Sequence, residues 1–331
     1  MRKVRIAQIG TSRNSHGSSI IKSLRKQSDL FEVVGYTLPE NEREKFPDKM
    51  KYFDGLREMT LEEILGDPSI EAVTVETEEI YLTKYAQMAA DAGKHIHMEK
   101  PGSQDCEAFE KMIETVRRNG TVFHTGYMYR YNPHVQELLA QIERGELGRI
   151  LSVEAQMNCI HPKELRQWLE NFKGGMMFFL GCHLIDLIFR IQGQPEKVHP
   201  MNRCSGLDGV TAEDQGMAVL EYKNGISFAV TNANQFGGFA RRELVVTGSE
   251  KTVSLCPLEM FHEDGGQFTT WTEYSDLSWA DQGTSRDCRP HDRYDGMMAS
   301  FAAMVRGEKE NPYTLDYELA LYKLVLQCCG L

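Results

Sequence analysis

The chain lacks most features that would place it outside an ordinary water-exposed globular class. No apolar run approaches the roughly 18 residues of a membrane span, so no membrane partner is expected. Met1 to Gly10 begins with charge and turns into a strand pattern. It has no long apolar core and no small-residue cleavage pattern, so it does not read as a signal peptide. The eight cysteines are scattered without a Cys-x-x-Cys pair, and Cys328 and Cys329 are neighbours near the end of a helical pattern. That usage fits free thiols in a reducing cytoplasm better than a disulfide framework. No dense Lys/Arg run occurs and the net charge is −11, which gives no broad attraction to nucleic acid. Internal repeats and low-complexity segments are absent as well.

What is present is a chain of 331 residues, 41% hydrophobic and 26% charged, which is enough for two domains with substantial cores. Its first third alternates strands with helices. Strands are expected at Val4 to Ile9, Phe31 to Tyr36, Ala72 to Val75, His95 to Met98 and Thr121 to His124. Helices are expected at Ser18 to Lys26, after Thr60, at Leu82 to Ala92 and at Cys106 to Arg118. Thr60 with Glu63 has the form of a capping box. Such alternation predicts a doubly wound parallel sheet over residues 1–124.

From residue 125 the pattern changes. Helices are expected at Pro133 to Arg144 and Met177 to Ile191. Extended runs follow at Ile150 to Met157, Gly216 to Tyr222, Ile226 to Asn232, Arg242 to Thr247 and Thr252 to Leu255. Asn224-Gly225 is a hairpin signal. Residues 125–331 therefore read as an α+β domain with a mostly antiparallel sheet. Helices at Tyr294 to Val305 and Leu315 to Cys329 close the chain, the last being a candidate to pack back on the first domain.

Two places carry candidate chemistry. Glu99-Lys100-Pro101 follows the fourth strand, and proline holds the preceding residue extended. Lys100 is then presented at the carboxyl end of a strand, the edge at which open α/β sheets bind ligands. This local pattern equally describes a surface lysine before a turn. The second place is the loop Gly10-Thr11-Ser12-Arg13-Asn14-Ser15-His16-Gly17, where a dinucleotide fingerprint belongs. Gly10 can make the tight turn, but the usual second glycine is missing and the loop is polar. Its backbone N–H groups, Ser12, Ser15 and the helix start could still hold a pyrophosphate. No acid stands at the tip of the second strand, which ends at Tyr36-Thr37, although Glu40 and Glu42 follow. NAD and NADP both stay open, and Arg43 or Lys45 could favour the phosphate.

Taken in order, these pieces resemble the glucose–fructose oxidoreductase / inositol dehydrogenase / rhizopine-catabolism (Gfo/Idh/MocA) family. The likeness rests on Ala92 to Ile96 with Glu99-Lys100-Pro101, on Gly126 to Pro133 and on Gly145 to Ile150. Gly174-Gly175, Gly181 to Leu187, Arg242 to Gly248, and Asn311 to Tyr313 with Asp316 to Glu318 complete it. The resemblance implies an N-terminal Rossmann domain, a second domain with a large antiparallel sheet and an NAD or NADP cofactor. It further implies a sugar, inositol or related polyol substrate and a homo-oligomer, dimer or tetramer. Carried over, it assigns Lys100 and His183 to catalysis. Beside these, Gly10, Thr11, Ser12, Asn14, Ser15, His16, Thr37, Thr77 and Glu99 are candidate cofactor residues and Arg130, Trp168, Phe179 and Asp186 candidate substrate residues, although Asp186 equally reads as a structural helix carboxylate and Trp168 as a surface loop residue. No metal site is expected, His95 and His97 being read as part of a packed strand.

Two departures stand out. Many dehydrogenases of this family carry an acid four residues before the histidine, where this chain has Phe179. The loop after the third strand, usually Thr-Pro, is Glu76-Thr77-Glu78-Glu79, whose carboxylates either turn to solvent or repel a phosphate-bearing cofactor. The leading expectation is an NAD(P)-dependent dehydrogenase acting on a ring hydroxyl. The alternatives are a glycoside-cleaving enzyme using transient oxidation and a catalytically degenerate ligand-binding homologue.

Overall fold

A computed structural model describes residues 2–263 and 265–331. Residues 2–128 together with Tyr294–Leu319 form one compact unit, and Tyr129–Arg293 with Ala320–Leu331 form a second.

In the first unit the chain runs β1 (Val4–Ile9), α1 (Gly17–Lys26), β2 (Phe31–Thr37), α2 (Glu42–Lys45), α3 (Leu61–Gly66), β3 (Ala72–Val75), α4 (Leu82–Asp91), β4 (His95–Met98), α5 (Cys106–Asn119) and β5 (Phe123–Thr125). The five strands are parallel, in the order β2-β1-β3-β4-β5. Ala72 to Val75 are all buried, as a sheet covered on both faces requires. The helix ends follow their caps. Thr60 and Glu63 exchange the two bonds of a capping box before α3. The Asp105 side chain accepts the Ala108 N–H, and Gly120 closes α5 in the left-handed region. The order reverses between β1 and β3, which makes that crevice the topological switch point.

The second unit contains α6 (Pro133–Glu143), β6 (Ile150–Asn158), α7 (Lys163–Trp168), α8 (Cys182–Gln192), β7 (Lys197–Arg203), β8 (Gln215–Tyr222), β9 (Gly225–Asn232), β10 (Glu243–Gly248), β11 (Thr252–Leu255), β12 (Met260–Phe261), β13 (Gln267–Phe268), β14 (Thr270–Tyr274) and β15 (Thr284–Asp287). Eight of these strands form one sheet, β15-β14-β11-β10-β6-β9-β8-β7. Its pairings are antiparallel except β6 with β9. The fold is thus a Rossmann-type parallel sheet followed by a large, mostly antiparallel one. The hairpin at Asn224-Gly225 forms, but its turn is Lys223-Asn224, with Gly225 already paired to Tyr222. Gly225 is required for another reason, since a Cβ there would run into the Leu151 carbonyl oxygen.

After β15 the chain returns to the first unit with α9 (Asp295–Val305) and the start of α10 (Leu315–Cys329). Ser23 of α1 donates to Asp295 at 2.7 Å, which ties α9 to the first helix. No helix among the described residues is long and apolar enough to cross a membrane.

Candidate active site

In the first unit the site grows from the switch point. Gly10 has φ +84°, and a Cβ on it would collide with Thr77 Cγ2, so the loops after β1 and β3 touch at a position that only glycine fits. Gln8 clasps the loop, donating to the carbonyls of Gly10 at 3.0 Å and Gly17 at 3.3 Å. Within it, Ser12 Oγ accepts the N–H groups of Asn14 and Ser15 at 3.3 and 2.9 Å, and Ser15 Oγ accepts that of Ser12 at 3.1 Å. The two serines thus hold in place the backbone that glycines would leave bare.

Glu42, at the start of α2, turns inward and accepts the Thr11 N–H at 3.0 Å. Burial pushes its carboxyl up to about 9, so it is neutral at pH 7. The hydroxyls of Thr11 and Ser18 are buried without a hydrogen-bond partner among the described residues. A glycine turn, unpartnered hydroxyls and the start of a ten-residue helix suit the diphosphate of a dinucleotide.

At the tip of β4 lie Glu99 and Lys100, both buried. Glu99 takes the His16 N–H at 3.1 Å and the His16 ring at 2.8 Å, and its other oxygen takes the Lys100 N–H at 3.0 Å. Burial opposes its charge, but His16 and Lys100 outweigh it and hold the carboxyl below its ordinary value. The Lys100 ammonium lies 3.9 Å from Glu99. Glu76 and Glu79, expected to face solvent or the cofactor, are instead fully buried, and their oxygens have no hydrogen-bond partner among the described residues. Burial raises both carboxyls, Glu79 to about 8. His97 shares a proton with His124, their Nδ1 atoms 2.8 Å apart, and burial holds it down near 4. His95 Nδ1 accepts the Val122 N–H at 3.0 Å. Both histidines are thus bound into the sheet, and the described residues contain no cluster that could hold a metal ion.

The second unit positions His183 in the first turn of α8. A π-helical turn, Met177–Gly181, precedes it, where the sequence predicts continuous helix. At its end, Gly181 lies against the Met177 thioether, where a Cβ would push that side chain aside. The buried His183 ring meets the edge of Tyr129, centroids 5.2 Å apart. Tyr129 is itself fixed: its hydroxyl donates to Glu259 at 2.6 Å and accepts from Arg242 at 3.0 Å. Glu259 also receives Arg242 at 2.9 Å, Gln267 at 2.8 Å and Arg293 at 2.6 Å. Burial works against the Glu259 charge, but Arg293 and Arg242 hold its carboxyl below the ordinary range.

Arg130 and Asp186, both candidate substrate residues in the sequence, meet each other in a buried fork. Arg130 Nε donates to the two carboxylate oxygens at 3.0 Å and Nη2 to one of them at 2.7 Å. Asp186 lies three residues after His183, so this pair braces the turn that carries the histidine. Phe179 and Trp168 pack edge to face, centroids 5.3 Å apart, in an apolar cluster with Cys159, Leu169, Met176, Val210, Ala212 and Ala233.

The structure therefore gathers Gly10, Thr11, Ser12, Asn14, Ser15, His16, Thr37, Thr77, Glu99 and Lys100 in the first unit, and Arg130, Trp168, Phe179, His183 and Asp186 in the second. Sequence reasoning missed Tyr129, Arg242 and Glu259 as the group that fixes the His183 ring. Tyr129 stood inside a motif already noted, whereas nothing around Glu259 marks it.

Comparison with known proteins agrees with this architecture. The oxidoreductase family model with an NAD-binding Rossmann fold matches residues 4–127, and the GFO/IDH/MocA C-terminal domain model matches residues 135–254. An uncharacterised oxidoreductase of Rhizobium meliloti is 27% identical over 269 residues, 80% of this chain and 78% of the relative. A scyllo-inositol 2-dehydrogenase (NADP(+)) of Bacillus subtilis is 29% identical over 140 residues, 42% of this chain and 39% of that protein's length. Levoglucosan dehydrogenase, solved with NADH and levoglucosan, shares the fold with a TM-score of 0.78 at 19% identity, covering 99% of this chain and 98% of that one. The nicotinamide cofactor is NAD or NADP, and the chain belongs to the Gfo/Idh/MocA oxidoreductase family.

Proposed function

We propose that this protein is an NAD(P)-dependent dehydrogenase acting on a ring hydroxyl of a sugar, an inositol or a sugar-derived polyol. The observation that carries this reading is Lys100. It is an ammonium group buried at the carboxyl end of β4 beside the ionised Glu99, within a unit whose loop suits a dinucleotide. The names of relatives that act on inositol and levoglucosan support the substrate class.

When bound, the nicotinamide supplies the hydride acceptor. His183 accepts the hydroxyl proton, which an imidazole near neutrality can do, with its ring held by Tyr129 and its helix braced by Arg130 and Asp186. Lys100 stabilises the charge that develops on the substrate oxygen. Trp168 and Phe179 offer an apolar wall for the carbon face of a ring. The protein acts as a homo-oligomer, dimer or tetramer, which light scattering of the purified chain tests.

The test of function is a spectrophotometric screen of inositols, aldoses and anhydrosugars with each cofactor. Polyol-dependent formation of reduced nicotinamide, lost in Lys100→Ala and His183→Ala, supports the reading. Full turnover in either variant contradicts the assigned roles.

A further inference from the structure

We infer that this chain takes NADP in preference to NAD, and that Arg13 receives the 2′-phosphate of the adenosine ribose. The inference rests on the reading above, that the loop after β1 holds a dinucleotide.

Enzymes of this architecture that select NAD place a carboxylate at the tip of the second strand to accept from the ribose 2′-hydroxyl. Here that tip is Thr37. Its carbonyl accepts the Gly10 N–H at 2.8 Å, so the tip and the start of the loop are adjacent. The carboxylates around it are already engaged. Glu42 is turned onto the Thr11 N–H and buried. Glu40 accepts from Lys84 at 2.6 Å and from the Tyr85 hydroxyl at 2.7 Å. Glu58 is held by Arg43, and Glu78 lies 3.5 Å from Lys45. Glu44 is exposed, but it sits about 200° around α2 from Glu42, the residue that faces the loop. Glu76 and Glu79 are fully buried. None of these carboxylates stands open at the tip to accept from a 2′-hydroxyl.

The cations are arranged in the complementary way. Arg43, a candidate phosphate partner in the sequence, bonds both Glu58 and the Tyr36 hydroxyl. Lys84 is held by Glu40, and Lys45 by Glu78. Arg13 is different: it is exposed at the middle of the loop, and no hydrogen bond or ion pair among the described residues engages its side chain. A planar guanidinium three residues beyond Gly10 matches a phosphate monoester in charge and fork geometry.

The experiment is calorimetric titration of the purified chain with 2′,5′-ADP, 5′-AMP, NADP and NAD, repeated with Arg13→Ala and Arg13→Lys. The phosphorylated member of each pair is expected to bind at least about tenfold more tightly. Arg13→Ala should remove that advantage and leave NAD affinity unchanged, while Arg13→Lys keeps part of it. NAD binding as tightly as NADP, or Arg13→Ala weakening both equally, overturns the inference while leaving the dinucleotide site standing. A folded protein that binds none of the four overturns the dinucleotide reading itself.

Discussion

Replacing Glu42 by glutamine tests whether the loop after β1 is held by a neutral carboxyl. Glu42 is buried, its oxygen accepts the Thr11 N–H at 3.0 Å, and its carboxyl is raised from 4.5 to about 9. The sign follows from proton linkage. A carboxyl whose folded value lies above its unfolded value contributes full stability below the unfolded value. That contribution is lost as pH rises toward the folded value, because the unfolded chain releases a proton that the native state retains. Between about pH 6 and about pH 8 the native state binds one more proton at this residue, which costs about 1.4 kcal/mol per pH unit and about 3 kcal/mol in all. Glutamine keeps the carbonyl acceptor for Thr11 and cannot ionise. The stability of Glu42→Gln relative to the parent should therefore rise by about 3 kcal/mol across that window, several degrees in Tm. The assay is denaturant and thermal unfolding of both proteins at the two pH values. Parallel pH profiles would refute the reasoning, and would mean that an ionised Glu42 holds the loop.

Other outcomes follow from the same geometry. Gly10→Ala must place a Cβ at φ +84° against Thr77 and should cost more than about 2 kcal/mol and abolish dinucleotide affinity, read by unfolding and calorimetry. Arg130→Ala leaves Asp186 buried without its fork and should cost about 3–5 kcal/mol, whereas the paired Arg130→Met/Asp186→Leu change should cost much less. Lys100→Ala and His183→Ala should each lower kcat about a hundredfold or more, with dinucleotide affinity retained in His183→Ala. Gly225→Ala forces a side chain into the Leu151 carbonyl and should destabilise the second unit, seen as a lowered unfolding midpoint.

Elements of the first sheet were legible because Ala72 to Val75 is a short, mostly apolar run and His95 to Met98 alternates polar and apolar residues after the glycine stop at Gly93. The outer strands of the second sheet were not. β7 carries Pro200 and β15 reads Thr-Ser-Arg-Asp, compositions that fit exposed edges and carry no alternating signal. The return of α9 to the first unit is tied by contacts such as Ser23 with Asp295, which no local pattern announces. In the site, Gly10, Lys100 and His183 stood in recognisable patterns. The inward turn of Glu42 and the burial of Glu76 and Glu79 did not, since a glutamate in a loop reads as solvated until the packing around it is known. The serines in place of glycines looked like damage to a phosphate loop. In the folded chain they brace it instead, because their hydroxyls accept four of its N–H groups, those of Ser12, Asn14, Ser15 and Gly17.

The most direct test of the dehydrogenase reading is the absorbance of reduced nicotinamide during incubation with a panel of inositols, aldoses and anhydrosugars, in the parent protein and in Lys100→Ala. The account predicts cofactor reduction that depends on one class of polyol, saturates with it and disappears in the variant. Cofactor that binds but is never reduced by any of these polyols, or reduction that persists unchanged without Lys100, would contradict it.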